Sequence, residues 1–204
     1  EKLELEVLHK FKNGGVRVNS SDYCDILELV QEIKNGLTKA VNKTSDNITS
    51  LGIDTWGVDY GLLDKNDNLL TNPYHYRDDR TDELREEVFE KISKEEVYSE
   101  TGIQFIWFNT LFQIFADKKY RPWILDNAES LLFTPDLLNF FLTGEKYNEY
   151  TIASTSQMFN PENENWSDSI FEKLDFPEDI MQEIIYPGEK IGNLLEEVKK
   201  ECNN

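Results

Sequence analysis

The sequence predicts an α/β fold, with a mixed sheet and a crossover helix followed by a largely helical part. Three observations support this: strand-like patterns come first, helical spacing dominates after Arg77, and no repeat or linker divides the chain. With 204 residues, 39% of them hydrophobic, the chain can build a core of ordinary size. We therefore expect a single domain over residues 1–204.

The first part of the chain predicts strands around one long helix. Apolar and polar residues alternate over residues 3–11, which is typical of a half-buried strand, and a short strand follows at 16–18. Apolar residues then recur at helical spacing over 26–41, and Asp22 is the expected cap of that helix. The apolar run 48–53 favours a central strand.

A hairpin and a series of helices are predicted next. Residues 58–63 have a strand pattern, 65–68 form a polar turn, and Leu69 starts the returning strand. Glycines at 102 and 144 indicate where two of the later helices end. The residues expected to cap or begin these helices are Thr81, Ser93, Asn109, Thr134, Ser167 and Pro177.

The charge of the chain excludes several classes of partner. It has 40 acidic and 21 basic residues, so its formal charge is −19, which argues against binding duplex nucleic acid or an anionic membrane. No secretory signal or spanning apolar run is found, and Cys24 and Cys202 lie in no metal-ligand spacing. We expect a cytoplasmic protein whose partner is a small molecule, with no metal bound to this chain.

Residues 52–61 form the most informative segment. A glycine at position 57 lets a ligand approach the backbone closely, and Trp56 offers a flat face suited to the C–H side of a sugar ring. Val58 and Asp59 lie beside them. A ligand site and a buried bend explain this segment equally well, so both interpretations stay open.

Two further segments combine polar and aromatic residues. In 72–81, Arg77 and Asp78 could face a polar substrate, but an Arg–Asp network that holds the loop and caps the next helix is the favoured interpretation. In 101–110, Phe108 and Asn109 belong either to the core or to a ligand-facing surface. The small hydroxyl residues of 142–156 are assigned mainly to structure.

Other catalytic classes find little support in the sequence. A hydrolase would need two carboxylates across a cleft, for which Asp54 or Asp59 with Asp78 are the candidates. With only His9 and His75, no Ser–His–Asp order is credible. No glycine-rich nucleotide loop is found either.

Several blocks in order resemble the rhamnulokinase branch of the FGGY family of sugar kinases, and the resemblance covers nearly the whole chain. The blocks are Gly-Ile-Asp-Thr-Trp-Gly-Val-Asp-Tyr at 52–60, Asn-Pro-Tyr-His-Tyr-Arg-Asp-Asp-Arg-Thr at 72–81, Thr-Gly-Ile-Gln-Phe at 101–105, Phe-Asn-Thr-Leu-Phe-Gln at 108–113, Leu-Thr-Gly at 142–144 and Glu-Tyr-Thr at 149–151.

The resemblance implies an actin-like, ribonuclease-H-like fold and a kinase that uses ATP and Mg²⁺ to phosphorylate L-rhamnulose at its 1-hydroxyl. Members of the family hold the sugar in a cleft between two domains. The residues implied to bind the substrate are Gly57, Trp56, Val58, Asp59, Phe108 and Asn109, with Arg77 and Asp78 as possible supports.

The chain also departs from the family pattern. The family has an N-terminal phosphate loop and a catalytic Asp in a Ser-His-Asp-Thr-like segment, and neither is found in this sequence. We therefore expect residues 1–204 to be the N-terminal, sugar-side domain, truncated at its N-terminus, with no catalytic residue, no C-terminal domain and no bound ATP. The alternatives are a non-catalytic carbohydrate-binding or scaffolding domain, and a kinase for another ketose such as L-fuculose or L-xylulose.

Overall fold

A computed structural model describes residues 4–44 and 48–202. The helices are α1 Ile26–Lys43, α2 Arg85–Lys91, α3 Lys94–Thr101, α4 Thr110–Tyr120, α5 Pro122–Asp126, α6 Thr134–Thr143, α7 Tyr150–Ala153, α8 Asp168–Leu174 and α9 Glu196–Cys202. Short 3₁₀ helices cover Asp79–Thr81, Ser154–Ser156 and Glu178–Ile180. The strands are β1 Val16–Val18, β2 Ser21–Tyr23, β3 Tyr60–Leu63, β4 Ser130–Phe133, β5 Asn148–Glu149, β6 Phe159–Asn160, β7 Asn165–Trp166 and β8 Ile184–Ile185.

The antiparallel pair β3–β4 lies at the centre of the fold. Every residue of both strands is buried, so the pair is covered on both faces. Alternate side chains point to opposite faces of a strand. Tyr60 and Leu62 accordingly enter one core, while Leu63 enters another. The other pairs are β1–β2 and β6–β7, both antiparallel, and β5–β8, which is parallel.

The larger core lies between the β3–β4 pair and the helices that follow. Helix α4 contributes most to it, because a continuous run of its side chains from Thr110 to Asp117 is buried. Helices α2, α3, α5 and α8 add side chains from around it. This arrangement fixes the start of α4 against the residues just before β3.

The smaller core joins the long helix α1 to α6 and to the other face of β3 and β4. Ile26 and Leu29 of α1 are buried there, as the helical spacing predicts. The prediction of Asp22 as the cap is wrong. Asp25 occupies that position and accepts a hydrogen bond from the amide of Glu28 at 3.1 Å, because Asp22 is paired in β2.

Two predicted strands are wrong. The first was predicted over residues 3–11, of which residue 3 lies outside the described residues. Neither 4–11 nor 48–53 pairs with another strand among the described residues. Leu5 and Val7 are 91% and 82% exposed, so their alternating pattern is not matched by a buried face. A strand requires a hydrogen-bonding partner, and the sequence pattern alone does not show whether a partner is present.

Most predicted turns and helix ends are confirmed. The hairpin closes through a bridge between Leu63 and Leu69, and Ser93 caps α3 by accepting from the amide of Glu96 at 3.2 Å. Gly102 and Gly144 end α3 and α6 in left-handed conformations. Thr81 is not a cap, because its buried hydroxyl has no hydrogen-bond partner among the described residues.

Candidate functional site

A tight bend lies just before β3. The amide of Asp59 donates to the carbonyl oxygen of Gly57 at 3.0 Å, and Val58 between them has a φ of +71°. This is a three-residue turn of the rare positive-φ kind, which strains a β-branched residue such as valine. Strained backbone persists only where its surroundings enforce it, and it is concentrated at functional sites. The bend is therefore the first candidate for a site.

Gly57 is half-buried, so solvent reaches the bend. No group in the described part of the chain accepts a hydrogen bond from its amide. The space beside its Cα is nevertheless occupied, because a Cβ at this position would lie 2.9 Å from Oγ1 of Thr155. The packing of Thr155 accounts for the missing side chain.

Asp59 lies beneath the bend and is completely buried. Its carboxylate accepts from Trp56 Nε1 at 2.7 Å, from the Tyr76 amide at 3.0 Å and from Gln113 Nε2 at 3.0 Å. Burial raises the pKa of Asp59, and these hydrogen bonds act in the opposite direction. Asp59 is placed to hold Trp56 and Tyr76 in position, and its side chain does not face solvent.

Five aromatic side chains extend from the bend, and we call Trp56, His75, Tyr76, Phe108 and Trp107 the aromatic strip. The ring of His75 stacks on Tyr76 at 4.5 Å and faces Trp56 at 6.1 Å between centroids. Phe108 meets Tyr76 edge-on at 5.2 Å, and Trp107 meets Phe108 edge-on at 5.1 Å. Trp107 is 43% exposed and the other rings are half-buried, so the strip presents an apolar surface to solvent.

Val58 and Asn109 lie below this surface. Val58 is buried, and Asn109 is 2% exposed. The side-chain amide of Asn109 donates to the Gln104 carbonyl at 2.8 Å and to Gln157 Oε1 at 3.0 Å. Asn109 precedes α4 as predicted, but its side chain makes no capping bond because it ties together the loop that carries Phe108.

Arg77 and Asp78 follow the strip and have different environments. Arg77 is exposed, and its guanidinium lies 5.2 Å from the centre of the Tyr76 ring. Asp78 is buried and accepts from the amides of Asp22 at 2.8 Å and Arg80 at 3.1 Å. Asp78 therefore caps the 3₁₀ helix Asp79–Thr81, as the structural interpretation of this segment predicts.

A buried ion network lies behind this loop. Asp117 of α4 is 2% exposed and accepts from Arg80 Nη1 and Arg121 Nη2, each at 2.6 Å. The hydroxyl of Tyr60 donates to the same carboxylate at 2.5 Å. The two guanidinium groups lie 3.9 and 4.3 Å from the centre of the Tyr74 ring. Every group is satisfied by another, so the network fixes the loop.

Another buried carboxyl group belongs to Asp136 at the start of α6. It accepts from Asn148 Nδ2 and from the amide of Glu149, both at 3.3 Å. Burial raises the pKa of Asp136 to about 7 despite these bonds. No basic side chain is hydrogen-bonded to it in the described part of the chain, so these hydrogen bonds offset the cost of its charge only in part.

The carboxylates do not form a hydrolytic pair. Asp59 and Asp78 are both buried and engaged in structural hydrogen bonds, so the hydrolase hypothesis loses the pair it requires. Within residues 4–44 and 48–202, no group of three or more His, Cys, Asp and Glu side chains could hold a metal ion. In the same ranges, no helix is both long and apolar enough to cross a bilayer.

A groove of about 500 Å³ is lined in part by Trp56. Its floor is formed by Leu29 and Ile33 of α1 and Leu138 of α6, and Asp54 lies at its rim. Trp56 lines this groove and also belongs to the aromatic strip. Trp56 therefore takes part in both features.

Sequence reasoning named the segments of this site but missed several of its residues. His75, Tyr76 and Trp107 complete the aromatic strip, and the sequence signal was the density of aromatic residues in 74–76 and 105–108. Thr155 was missed because it lies 97 residues from Val58, whose amide it binds. No local pattern indicates such a contact.

The described part of the chain is thus an α/β domain with a strip of aromatic rings beside a polar bend. The chain belongs to the FGGY family of carbohydrate kinases, because its residues 12–203 match the model of that family's N-terminal domain.

Curated relatives point in the same direction. The chain is 46% identical over 200 residues to a rhamnulokinase of Oceanobacillus iheyensis. The alignment covers 98% of this chain and 42% of that relative. It is 42% identical over 198 residues to a rhamnulokinase of Bacteroides thetaiotaomicron, covering 97% of this chain and 41% of that protein. The chain thus spans about two fifths of the length of the relatives it matches.

Solved structures establish the fold. A gluconate kinase from Lactobacillus acidophilus superposes with a TM-score of 0.85 at 15% identity, covering 93% of this chain and 39% of that one. A glycerol kinase from Plasmodium falciparum with ADP also gives 0.85, at 20% identity, covering 98% of this chain and 42% of that one. The predicted α/β, actin-like fold of sugar kinases is confirmed.

Proposed function

We propose that residues 1–204 are the sugar-side domain of a longer kinase, which transfers the γ-phosphate of ATP to the 1-hydroxyl of L-rhamnulose. The observation that carries this proposal is the exposed aromatic strip beside the open amide of Gly57, in a chain 46% identical to a rhamnulokinase over 98% of its length. We infer that the protein acts in the cytoplasm, since both cysteines of this chain are free and buried.

The proposed contacts follow from what the surface offers a ketose. The rings of Trp56 and Phe108 supply flat apolar faces for the C–H side of the sugar. The amide of Gly57 can donate to a sugar hydroxyl, because no protein acceptor in the described ranges uses it. Arg77 lies at the edge of this surface and could reach a polar group of the ligand.

The other predicted site residues act on the sugar indirectly in this proposal. Asp59 holds Trp56 and Tyr76, Asn109 holds the loop of Phe108, and Val58 forms the bend. Asp78 supports the loop that leads away from Tyr76. The binding of a sugar to the surface residues would therefore depend on these buried residues, which hold the surface residues in position.

ATP and Mg²⁺ do not fit the residues of this chain. Phosphoryl transfer needs cations that neutralise the transferred group and a carboxylate that accepts the hydroxyl proton. The described ranges contain no metal-binding cluster, and the predicted site carboxylates Asp59 and Asp78 are buried and hydrogen-bonded. We propose that the nucleotide, the metal and the catalytic base belong to the rest of the longer protein, and that this chain alone turns over no substrate.

Calorimetric titration of this chain with L-rhamnulose, L-fuculose and L-xylulose tests the sugar site. We expect L-rhamnulose to bind most tightly and Trp56→Ala to weaken it at least about tenfold, which corresponds to about 1.4 kcal/mol. The matched control is Trp123→Ala, since Trp123 is exposed on α5 and stacks on no ring of the aromatic strip.

The outcomes separate the competing functions. Preference for another of the three ketoses would change the substrate of the proposed kinase but not its site. Binding of L-rhamnulose without any ATP-dependent phosphorylation by the full-length protein would favour a non-catalytic carbohydrate-binding domain. No binding of any ketose, with both variants folded, would overturn the proposal.

A further inference from the structure

The bend at the candidate sugar site is held by side chains from two separate parts of the fold. The strained Val58 lies between two hydrogen-bonded peptide groups, and its φ of +71° is unfavourable for valine. Such a conformation requires external support. The support comes from two sides, because one element binds the carbonyl of Val58 and another binds its amide.

Helix α4 binds the carbonyl oxygen of Val58. Thr110 Oγ1 donates to it at 2.7 Å and Gln113 Nε2 donates at 3.3 Å. Both side chains are buried, and Gln113 also binds Asp59 and the carbonyl of Phe108. These contacts belong to the core, so they cannot be removed without disturbing the whole domain.

Thr155 binds the amide of Val58 from the opposite side. Its Oγ1 accepts from that amide at 3.2 Å and donates to the carbonyl of Ile152 at 2.8 Å. Because the hydroxyl proton is used within its own helical turn, the oxygen lone pair is available to Val58. The Cβ and Cγ2 of Thr155 also lie 3.2 Å from where a Cβ on Gly57 would be. The side chain thus contacts two of the three residues of the bend, Gly57 and Val58.

One polar group of the bend is left open by these contacts. The amide and carbonyl of Val58 are both bound, and the carbonyl of Gly57 accepts from Asp59. The amide of Gly57 has no acceptor in the described part of the chain. The partners of the bend therefore determine which backbone donor faces the ligand.

We propose that Thr155 is a positioning residue for the sugar site: it holds the Gly57–Val58 peptide and packs against Gly57, and so orients the adjoining Trp56–Gly57 peptide, whose N–H then faces a hydroxyl of the ketose. This inference rests on the proposed function. Thr155 lies in the half-buried 3₁₀ helix Ser154–Ser156, so its side chain can be changed without removing a core residue. Its role is separate from those of Thr110 and Gln113.

The kinetic test uses two variants of the full-length kinase. Thr155→Val keeps the shape of the side chain but loses the hydroxyl, and we expect it to raise the KM for L-rhamnulose about tenfold with little change in kcat or in the KM for ATP. Thr155→Ser keeps the hydroxyl and should stay within about twofold of the wild type. A general loss of folding would lower the amount of active enzyme and would leave the KM values unchanged.

A second measurement does not depend on any substrate. Amide hydrogen exchange of this chain should show faster exchange at Val58 in Thr155→Val, by about fivefold or more, and near wild-type exchange in Thr155→Ser. Unchanged exchange at Val58 in both variants would overturn the positioning role whatever the protein binds. Wild-type KM values in Thr155→Val would overturn it as well.

The two proposals fail in different ways. If the exchange result is as expected but the wild-type full-length protein phosphorylates no ketose, the proposed function is wrong and Thr155 is only a structural support. If the wild-type enzyme phosphorylates L-rhamnulose and Thr155→Val has an unchanged KM, the proposed function stands and the inference about Thr155 is wrong.

Discussion

Replacing Gly57 with alanine should destabilise the chain through contact with Thr155. The added Cβ would lie 2.9 Å from Oγ1 and 3.2 Å from Cβ and Cγ2 of Thr155, all closer than ordinary van der Waals contact. Thr155 cannot retreat freely, because its hydroxyl is bonded to Val58 and Ile152. Overpacking of this kind typically costs about 1–3 kcal/mol. We expect the free energy of unfolding to fall by that amount.

Urea denaturation of the chain measures this loss, and Gly52→Ala is the matched control. Gly52 lies in the same segment and is exposed, and a Cβ there would meet no atom within 4 Å. Alanine at an unstrained glycine position is neutral or stabilising by about 0.4–1 kcal/mol. The two alanine variants should therefore change stability in opposite directions, or differ by at least about 1 kcal/mol.

A double-mutant cycle identifies the cause. Thr155→Ala removes the two outer atoms that the new Cβ would meet, so Gly57→Ala should cost less in the T155A background than in the wild type, by about 1 kcal/mol. An equal cost in both backgrounds would show that Thr155 does not constrain Gly57. A Gly57→Ala variant as stable as Gly52→Ala would refute the packing argument directly.

Further predictions concern buried charge. Because burial raises the pKa of Asp136 to about 7, the folded chain holds a proton that the unfolded chain has lost, and stability falls as pH rises from about 4 to about 7. The stability of Asp136→Asn relative to the wild type should therefore increase by about 2–3 kcal/mol between pH 5 and pH 8 in urea titrations, and an equal difference at both pH values would contradict this. Asp117→Ala removes the closest carboxylate of the buried Arg80, leaving it with Asp78 at 3.8 Å, and should cost about 3–5 kcal/mol, whereas Glu87→Gln, which breaks the exposed pair with Lys119, should cost less than about 1 kcal/mol. If Asp117→Ala and Glu87→Gln lowered the free energy of unfolding by similar amounts in urea denaturation, burial would not determine the energetic cost of breaking an ion pair.

The helices were predictable because their signals are local. The apolar spacing that predicted α1 corresponds to its buried face, and the capping pattern at Ser93 corresponds to an observed hydrogen bond. The strands over 4–11 and 48–53 were not predictable from pattern alone, because pairing depends on another segment of backbone. Their apolar residues suit a strand, but within the described ranges they have no strand partner.

The site was only partly predictable for the same reason. The sequence identified the segment of Trp56 and Gly57 and the loop of Phe108. It did not show that Asp59 would be buried beneath Trp56, or that Thr155 would bind the bend. Those facts depend on how α4 and the 3₁₀ helix Ser154–Ser156 pack around Val58, which no local spacing reveals.

Amide and indole NMR signals of this chain during titration with L-rhamnulose test the central claim most directly. If the ketose lies on the bend and the aromatic strip, the Gly57 amide and the Trp56 indole N–H should shift together and saturate at one ligand concentration. The amide of Gly52, five residues earlier in the chain, should shift far less. Saturating shifts at a different surface, with Gly57 and Trp56 unchanged, would contradict the account.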